Sequence, residues 1–148
     1  MLFRSRPGQE APLIELMEGV EDIPGSALTE GIPWGEWETF PQYLDYLASR
    51  RYSIDIGTQV AHGALRFYAM GQRGVDNLDA TQDDIATMAT LVGEAVEAGA
   101  LGFSTSRTIG HRSLSGQPVP GTFAAIEELS AIARAMPRGV FEIGRAHV

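Results

Sequence analysis

The sequence predicts an α/β fold in which parallel strands are joined by crossover helices, and three observations carry that reading. From Ser53 to Phe141 the apolar pattern switches between strand and helix periods in the order β-α-β-α-β, which generates a parallel sheet. The helix-to-strand links are tiny, Gly99-Ala100 and Pro137-Arg138-Gly139, whereas the strand-to-helix links run from about Ala61 to Ala80 and from Ser106 to Gly121. The composition, 148 residues with 44% hydrophobic and 20% charged, is that of one globular domain and not of a disordered chain.

Each element has its own signal. Leu13, Leu16, Met17 and Val20 recur at helical spacing after Pro12, so a short helix is expected there, stopping near Gly19. Ile23 to Trp37 is rich in Pro, Gly and Trp without a period, and reads as an ordered loop. Thr39 with Gln42 forms a capping box for a helix whose stripe is Phe40, Tyr43, Leu44 and Leu47, closed by Arg50 and Arg51. Ser53 to Val60 alternates and is expected to be a strand. Thr81 with Asp84 is a second capping box. Behind it Ile85, Met88, Ala89, Val92, Ala95, Val96 and Gly99 keep helical phase, the clearest helix in the chain. Leu101 to Thr105 reads as a strand. Thr122 to Met136 reads as a helix with Phe123, Ile126, Leu129, Ala133 and Met136 inward, and Val140-Phe141 opens a third strand.

Charge and composition narrow the function. Eleven basic against 19 acidic residues leave a net charge of −8, which argues against nucleic acid as a partner, since phosphates call for a cationic face. Every basic residue counted is arginine, a mark of a GC-rich coding sequence. The absence of cysteine excludes disulfides and thiolate chemistry within the chain. No apolar run approaches the ~20 residues of a membrane span, and no signal peptide is evident, so a soluble, cytoplasmic protein without a membrane partner is expected. The ends read differently from the rest. Met1-Leu2-Phe3-Arg4-Ser5 and Glu142-Ile143-Gly144-Arg145-Ala146-His147-Val148 resemble translations of a sequencing adapter and its complement. Residues 1–5 and 142–148 are accordingly expected to be artefactual, and 6–141 to be the native segment.

In α/β barrels the loops after the strands build the active site while the opposite face is trimmed, so the long links here mark the functional face. His62 and the Ser104–Arg107 run fall just beyond strand carboxyl ends and are expected to share it. His62 either orients a substrate or supports a metal ligand, or it fixes the turn before Gly63. Arg66 either meets a substrate carboxylate or forms an internal ion pair. Gly102-Phe103-Ser104-Thr105-Ser106 lacks the second glycine of a nucleophile elbow, so Ser104, Thr105 and Ser106 read as hydrogen-bonding groups at a strand mouth. Arg107, His111 and Arg112 either meet an anionic group or anchor the Gly116–Gly121 loop. The pairs Asp83/Asp84 and Glu127/Glu128 sit in first helical turns and read as structural. These residues alone make no complete catalytic constellation.

Several stretches together resemble the N-acyl-D-amino-acid deacylase (D-aminoacylase) family of the metal-dependent amidohydrolase superfamily. They are Leu13 to Gly25, Trp34/Trp37 to Tyr43, His62-Gly63-Ala64-Leu65-Arg66, and above all Glu94 to Thr105. The resemblance implies a partial (β/α)8 TIM barrel with zinc at the strand carboxyl ends of the full-length enzyme. It also implies a metal-bound hydroxide attacking the amide of an N-acyl amino acid, the small-molecule substrate, while an aspartate moves protons. The family's metal ligands lie before Arg6 and after Phe141, so no metal or catalytic residue is assigned here, and this segment is expected to bind no zinc and to be inactive alone. His62 and Arg66 match the family's Gly-His-x-x-Leu-Arg segment, with Ala61 in place of the glycine. Ser104 and Thr105 match its Gly-x-Ser-Thr-Gly segment, where Ser106-Arg107 replaces the glycine and the tyrosine expected shortly after is missing. Candidate substrate-binding residues are therefore His62, Arg66, Ser104, Thr105 and Arg107, and another N-acyl or cyclic amide substrate stays open. Two alternatives stand beside this reading: a self-contained, flavodoxin-like α/β domain that binds a small ligand without metal, and an interaction module docking through Trp34 and Trp37 if these are exposed.

Overall fold

A computed structural model describes residues 8–144; the expected artefacts at 1–5 and 145–148 lie outside that range. In chain order the elements are α1 (Ala11–Glu21), α2 (Gly25–Gly31), α3 (Phe40–Ala48), β1 (Val60–Ala61), α4 (His62–Met70), α5 (Gln72–Val75), α6 (Gln82–Ala98), β2 (Gly102–Ser106), α7 (Ile126–Ala135) and β3 (Val140–Gly144). The three strands form one sheet in the order β1-β2-β3, and both pairings are parallel.

Both capping boxes form as the sequence implies. Thr39 and Gln42 close the start of α3, and Thr81 and Asp84 that of α6, each side chain accepting from the other's backbone N–H. In α6, Ile85, Met88, Val92, Ala95 and Val96 are buried on the expected stripe. Gly99 ends the helix at φ 121°, a conformation that suits glycine. The core gathers Leu13, Phe40, Val60, Leu65, Met88, Val92, Val96, Phe103, Leu129 and Ile132, with α6 packed against α3, α4 and α7.

Four expectations need correction. The stretch from Ile23 to Trp37 is not all loop: Pro24 leads into α2, which buries Leu28. The strand expected from Ser53 shrinks to Val60–Ala61, because β2 begins only at Gly102 and offers residues 53–59 no ladder beyond one bond, Leu101 N–H to the Thr58 carbonyl at 2.9 Å. Ile54 and Ile56 consequently stand 74% and 47% exposed. The long link after β1 is itself helical, since α4 starts at His62 with no intervening loop. Finally, α7 starts at Ile126, because residues 119–124 are taken up by turns in which Thr122 Oγ1 donates to the Val119 carbonyl at 2.7 Å. That start leaves Phe123, Ile126 and Ala133 exposed and buries Glu128, Leu129 and Ile132.

Strand register then assigns the faces of the sheet. Val60, Phe103 and Phe141 lie in one row, and Phe103 is fully buried against the helices, 5.0 Å from the Phe141 ring. Successive residues alternate sides, so Ala61, Ser104 and Glu142 form a row on the other face, where Ser104 is only half-buried. The strand β3 runs on through Gly144 and includes Glu142 to Gly144 of the adapter-like end. Trp37 is buried against Tyr43 and Tyr46, and half-buried Trp34 donates Nε1–H to the Leu28 carbonyl at 3.2 Å. The tryptophans are therefore packing residues, and the docking-patch reading is withdrawn.

Candidate functional site

The carboxyl ends of the strands place the site. Ala61 pairs with Ser104, so the next residue, His62, lies beside Thr105 on the same rim as the Ser104–Arg107 run. Arg66 follows four residues later on α4, which stacks it on the same helical face. Glu128 arrives from the first turn of α7. The four side chains form one continuous buried line, with His62, Arg66, Thr105 and Glu128 between 1% and 6% exposed. Thr105 Oγ1 lies 2.8 Å from His62 Nδ1, and His62 Nε2 lies 2.7 Å from Glu128 Oε1. Arg66 Nη1 donates to both Glu128 oxygens at 2.7 and 2.6 Å, while its Nη2 donates to the Leu78 carbonyl. Gly121, at φ +94°, lies directly against the His62 ring, where a Cβ would collide with Nδ1. Among the described residues Arg66 Nε has no partner, and Arg66 lines a cavity of about 50 Å³, room enough for one water, which such an orphan donor calls for.

Electrostatics set the protonation states. Burial pushes the His62 pKa below its ordinary value, although the neighbouring Glu128 carboxylate opposes the shift. Burial alone would raise Glu128, but the hydrogen bonds from His62 and Arg66 outweigh it and hold the carboxyl below its ordinary range. At neutral pH the line thus reads guanidinium, carboxylate, neutral imidazole, hydroxyl. A carboxylate–imidazole–hydroxyl order can hold and pass a proton.

The open face of the sheet meets this line at a cleft of about 280 Å³. Its walls include His62, Ser104, Thr105, Ser106, His111, Glu21 and Glu142. Of the five candidate residues, the structure brings His62, Arg66 and Thr105 into one network. Ser104 lines the cleft from the opposite side of the strand. Arg107 turns to the Ala124 carbonyl, to which Nη1 donates at 2.6 Å. Arg66 takes the internal ion pair. The wider cationic cluster anchors its own loop: Arg112 Nη1 donates to the Gly116 carbonyl at 2.7 Å, and His111 Nδ1 lies 3.2 Å from Ser106 Oγ.

Two residues escaped the sequence reading. Glu128 is not a solvated partner of the helix dipole as its neighbour Glu127 is; it is the buried centre of the network. The available signal was its position four residues before Ile132, on the buried stripe of α7. Asn77, in the left-handed region at φ 55°, donates Nδ2–H to the Pro118 carbonyl and accepts from Gly121 N–H, each at 2.9 Å. It clips the loop that covers His62, and no spacing marks it in advance.

Among the described residues no three His, Asp or Glu side chains converge as a metal site, and both ring nitrogens of His62 are engaged. These residues do not by themselves fit a zinc ion, and no step is derived through one. In comparisons with known proteins no family model matches the chain, and no curated protein or solved structure matches it at a significant level. What stands is the class: an α/β chain with a three-stranded parallel sheet, in which no described helix is long and apolar enough to cross a membrane.

Proposed function

We propose that this chain is an internal segment of a metal-dependent amidohydrolase barrel whose complete enzyme hydrolyses the amide of N-acyl amino acids, of D configuration, in the cytoplasm. The zinc ligands would come from segments outside residues 6–141. The chemistry rests on the resemblance of His62–Arg66 and Glu94–Thr105 to the deacylase segments. The observation that supports the architecture is the order and open edge of the three-stranded sheet. Its strands run in sequential order, as in a (β/α)8 barrel, whereas a flavodoxin-like sheet sets its first strand between the second and third. Among the described residues its outer strand β3 pairs on one side only, and within the native segment it leaves Val140 57% exposed, an apolar edge position that a further β/α unit would cover. The row that holds Ala61 and half-buried Ser104 would then face the barrel interior, with the cleft at its mouth.

Residues 6–141 expressed alone with zinc should give no turnover of N-acetyl-D-amino acids, whereas the parent reading frame extended on both sides should give turnover that chelation abolishes and zinc restores. Metal-dependent turnover by the short chain would contradict the placement of the ligands, and an extended frame without chelation-sensitive activity would end the amidohydrolase reading.

A further inference from the structure

A second cavity, of about 260 Å³, opens between α1, α5 and the loop of residues 113–120, and has only Pro120 in common with the rim cleft. Its apolar wall is Pro12, Leu13 and Leu16 of α1, Val75 of α5, and Pro118 and Pro120 of the loop. Leu13 and Leu16 are 2% and 5% exposed, so the cavity reaches down to the core and is not a shallow surface dip. Its walls are held in place by bonds made within the protein. Asn77 Nδ2 donates to the Pro118 carbonyl and Ser113 N–H to the Gln117 carbonyl, each at 2.9 Å, while Arg112 Nη1 donates to the Gly116 carbonyl at 2.7 Å. Across the cavity, Gly74 of α5 packs so closely on the Arg66 backbone that a Cβ would collide, which ties α5 to α4. A site that is already shaped loses little in ordering when a ligand enters.

The charge lining this cavity has one sign. Glu15, which is half-buried, and Asp76 line it, and no arginine or histidine does. Asp76 accepts from Gln72 Nε2 at 2.8 Å, but among the described residues neither carboxylate has an ion-pair partner. A preformed apolar pocket with a few polar groups at its margin is the usual form of a small-molecule site, and here those groups attract cations and repel anions. We propose that the cavity binds a small organic ammonium ion, its apolar body against Leu13, Leu16 and Val75 and its charged nitrogen toward Glu15 and Asp76. The site is distinct from the rim cleft and does not depend on the amidohydrolase reading.

Benzylammonium, benzyl alcohol and benzoate are near-isosteres that differ in charge, and titrating each into the 148-residue chain at neutral pH, followed by methyl NMR, tests the proposal. The methyl resonances of Leu13, Leu16 and Val75 should move saturably with benzylammonium. Its Kd should lie at least about fivefold below that of benzyl alcohol, as one partly buried ion pair warrants, with benzoate the weakest. Glu15→Gln combined with Asp76→Asn keeps size and an acceptor oxygen at both positions. That double variant should bring benzylammonium to the affinity of the alcohol and leave the alcohol itself unchanged; if it fails to fold, the ranking of the probes on the parent chain decides alone. No saturable shift at the three residues, alcohol or benzoate binding as tightly as the ammonium, or a folded double variant that keeps the full preference would overturn the proposal.

Discussion

Replacing Glu128 by glutamine isolates the electrostatic role of the buried line. The side chain keeps its shape, but Arg66 loses two charge-assisted hydrogen bonds, at 2.7 and 2.6 Å. The new amide can offer one oxygen, to Arg66 or to His62 Nε2, and its NH2 group then confronts a second donor. Arg66, 2% exposed, remains a buried and uncompensated cation. Removing one partner of such a pair costs about 3–5 kcal/mol, and with a urea dependence of about 1–3 kcal/mol per molar the unfolding midpoint should fall by about 1 M or more. Circular dichroism in urea measures it. The double variant Arg66→Met, Glu128→Leu should recover part of the loss, because no charge is then left in the interior. A Glu128→Gln midpoint within 0.3 M of the parent (about 0.5 kcal/mol on that scale) would refute the assignment of Glu128 as the centre of the network.

Acid should weaken the fold in two stages. His62 has a folded pKa below its unfolded value of 6.5, so its stabilising contribution is complete above that pH and is lost as pH falls through the folded value. The lowered pKa of Glu128 likewise contributes fully above its unfolded value of 4.5 and is lost below it. Urea midpoints should decline as pH falls below 6.5 and again below 4.5; a profile flat between 6.5 and 4.5 would contradict the His62 shift, and one flat below 4.5 the Glu128 shift. Gly121→Ala combines a positive φ with a collision against the His62 ring and should lose about 2 kcal/mol or more by the same assay; an unchanged midpoint would show that the loop does not rest on His62. Thr81→Ala removes the cap of α6 and should cost about 1 kcal/mol, a fall of about 2–4 °C in Tm, whereas an unchanged Tm would mean that the cap carries no stability.

Local signals were legible in the sequence wherever the physics is local. The two capping boxes, the apolar stripe of α6, five of whose phased positions are buried, and the Pro137 stop each involve residues within a few turns of one another, and each appears in the fold. Misreadings arise where a neighbour decides. Ile54 and Ile56 alternate as a strand should, yet the adjacent strand starts too late to pair with them. The first turn of the expected helix at Thr122 is unwound because residues 119–124 close tight turns over His62. At the site, the shared rim of His62 and Ser104 followed from strand order, but the partner of both His62 and Arg66 did not. Glu128 lies 66 residues from one and 62 from the other, and among the 19 acidic residues only the phase of α7 singles it out.

That separation along the chain bears on kinetics. Joining His62 to Glu128 closes a long loop, an entropic expense that grows only slowly with length but must be met before the contact returns anything. The junction therefore belongs late on the folding route, after α6 and the turns around it have formed. Weakening it should leave the refolding rate nearly unchanged and hasten escape from the native state, so Glu128 governs how long the folded molecule lasts more than how quickly it is made.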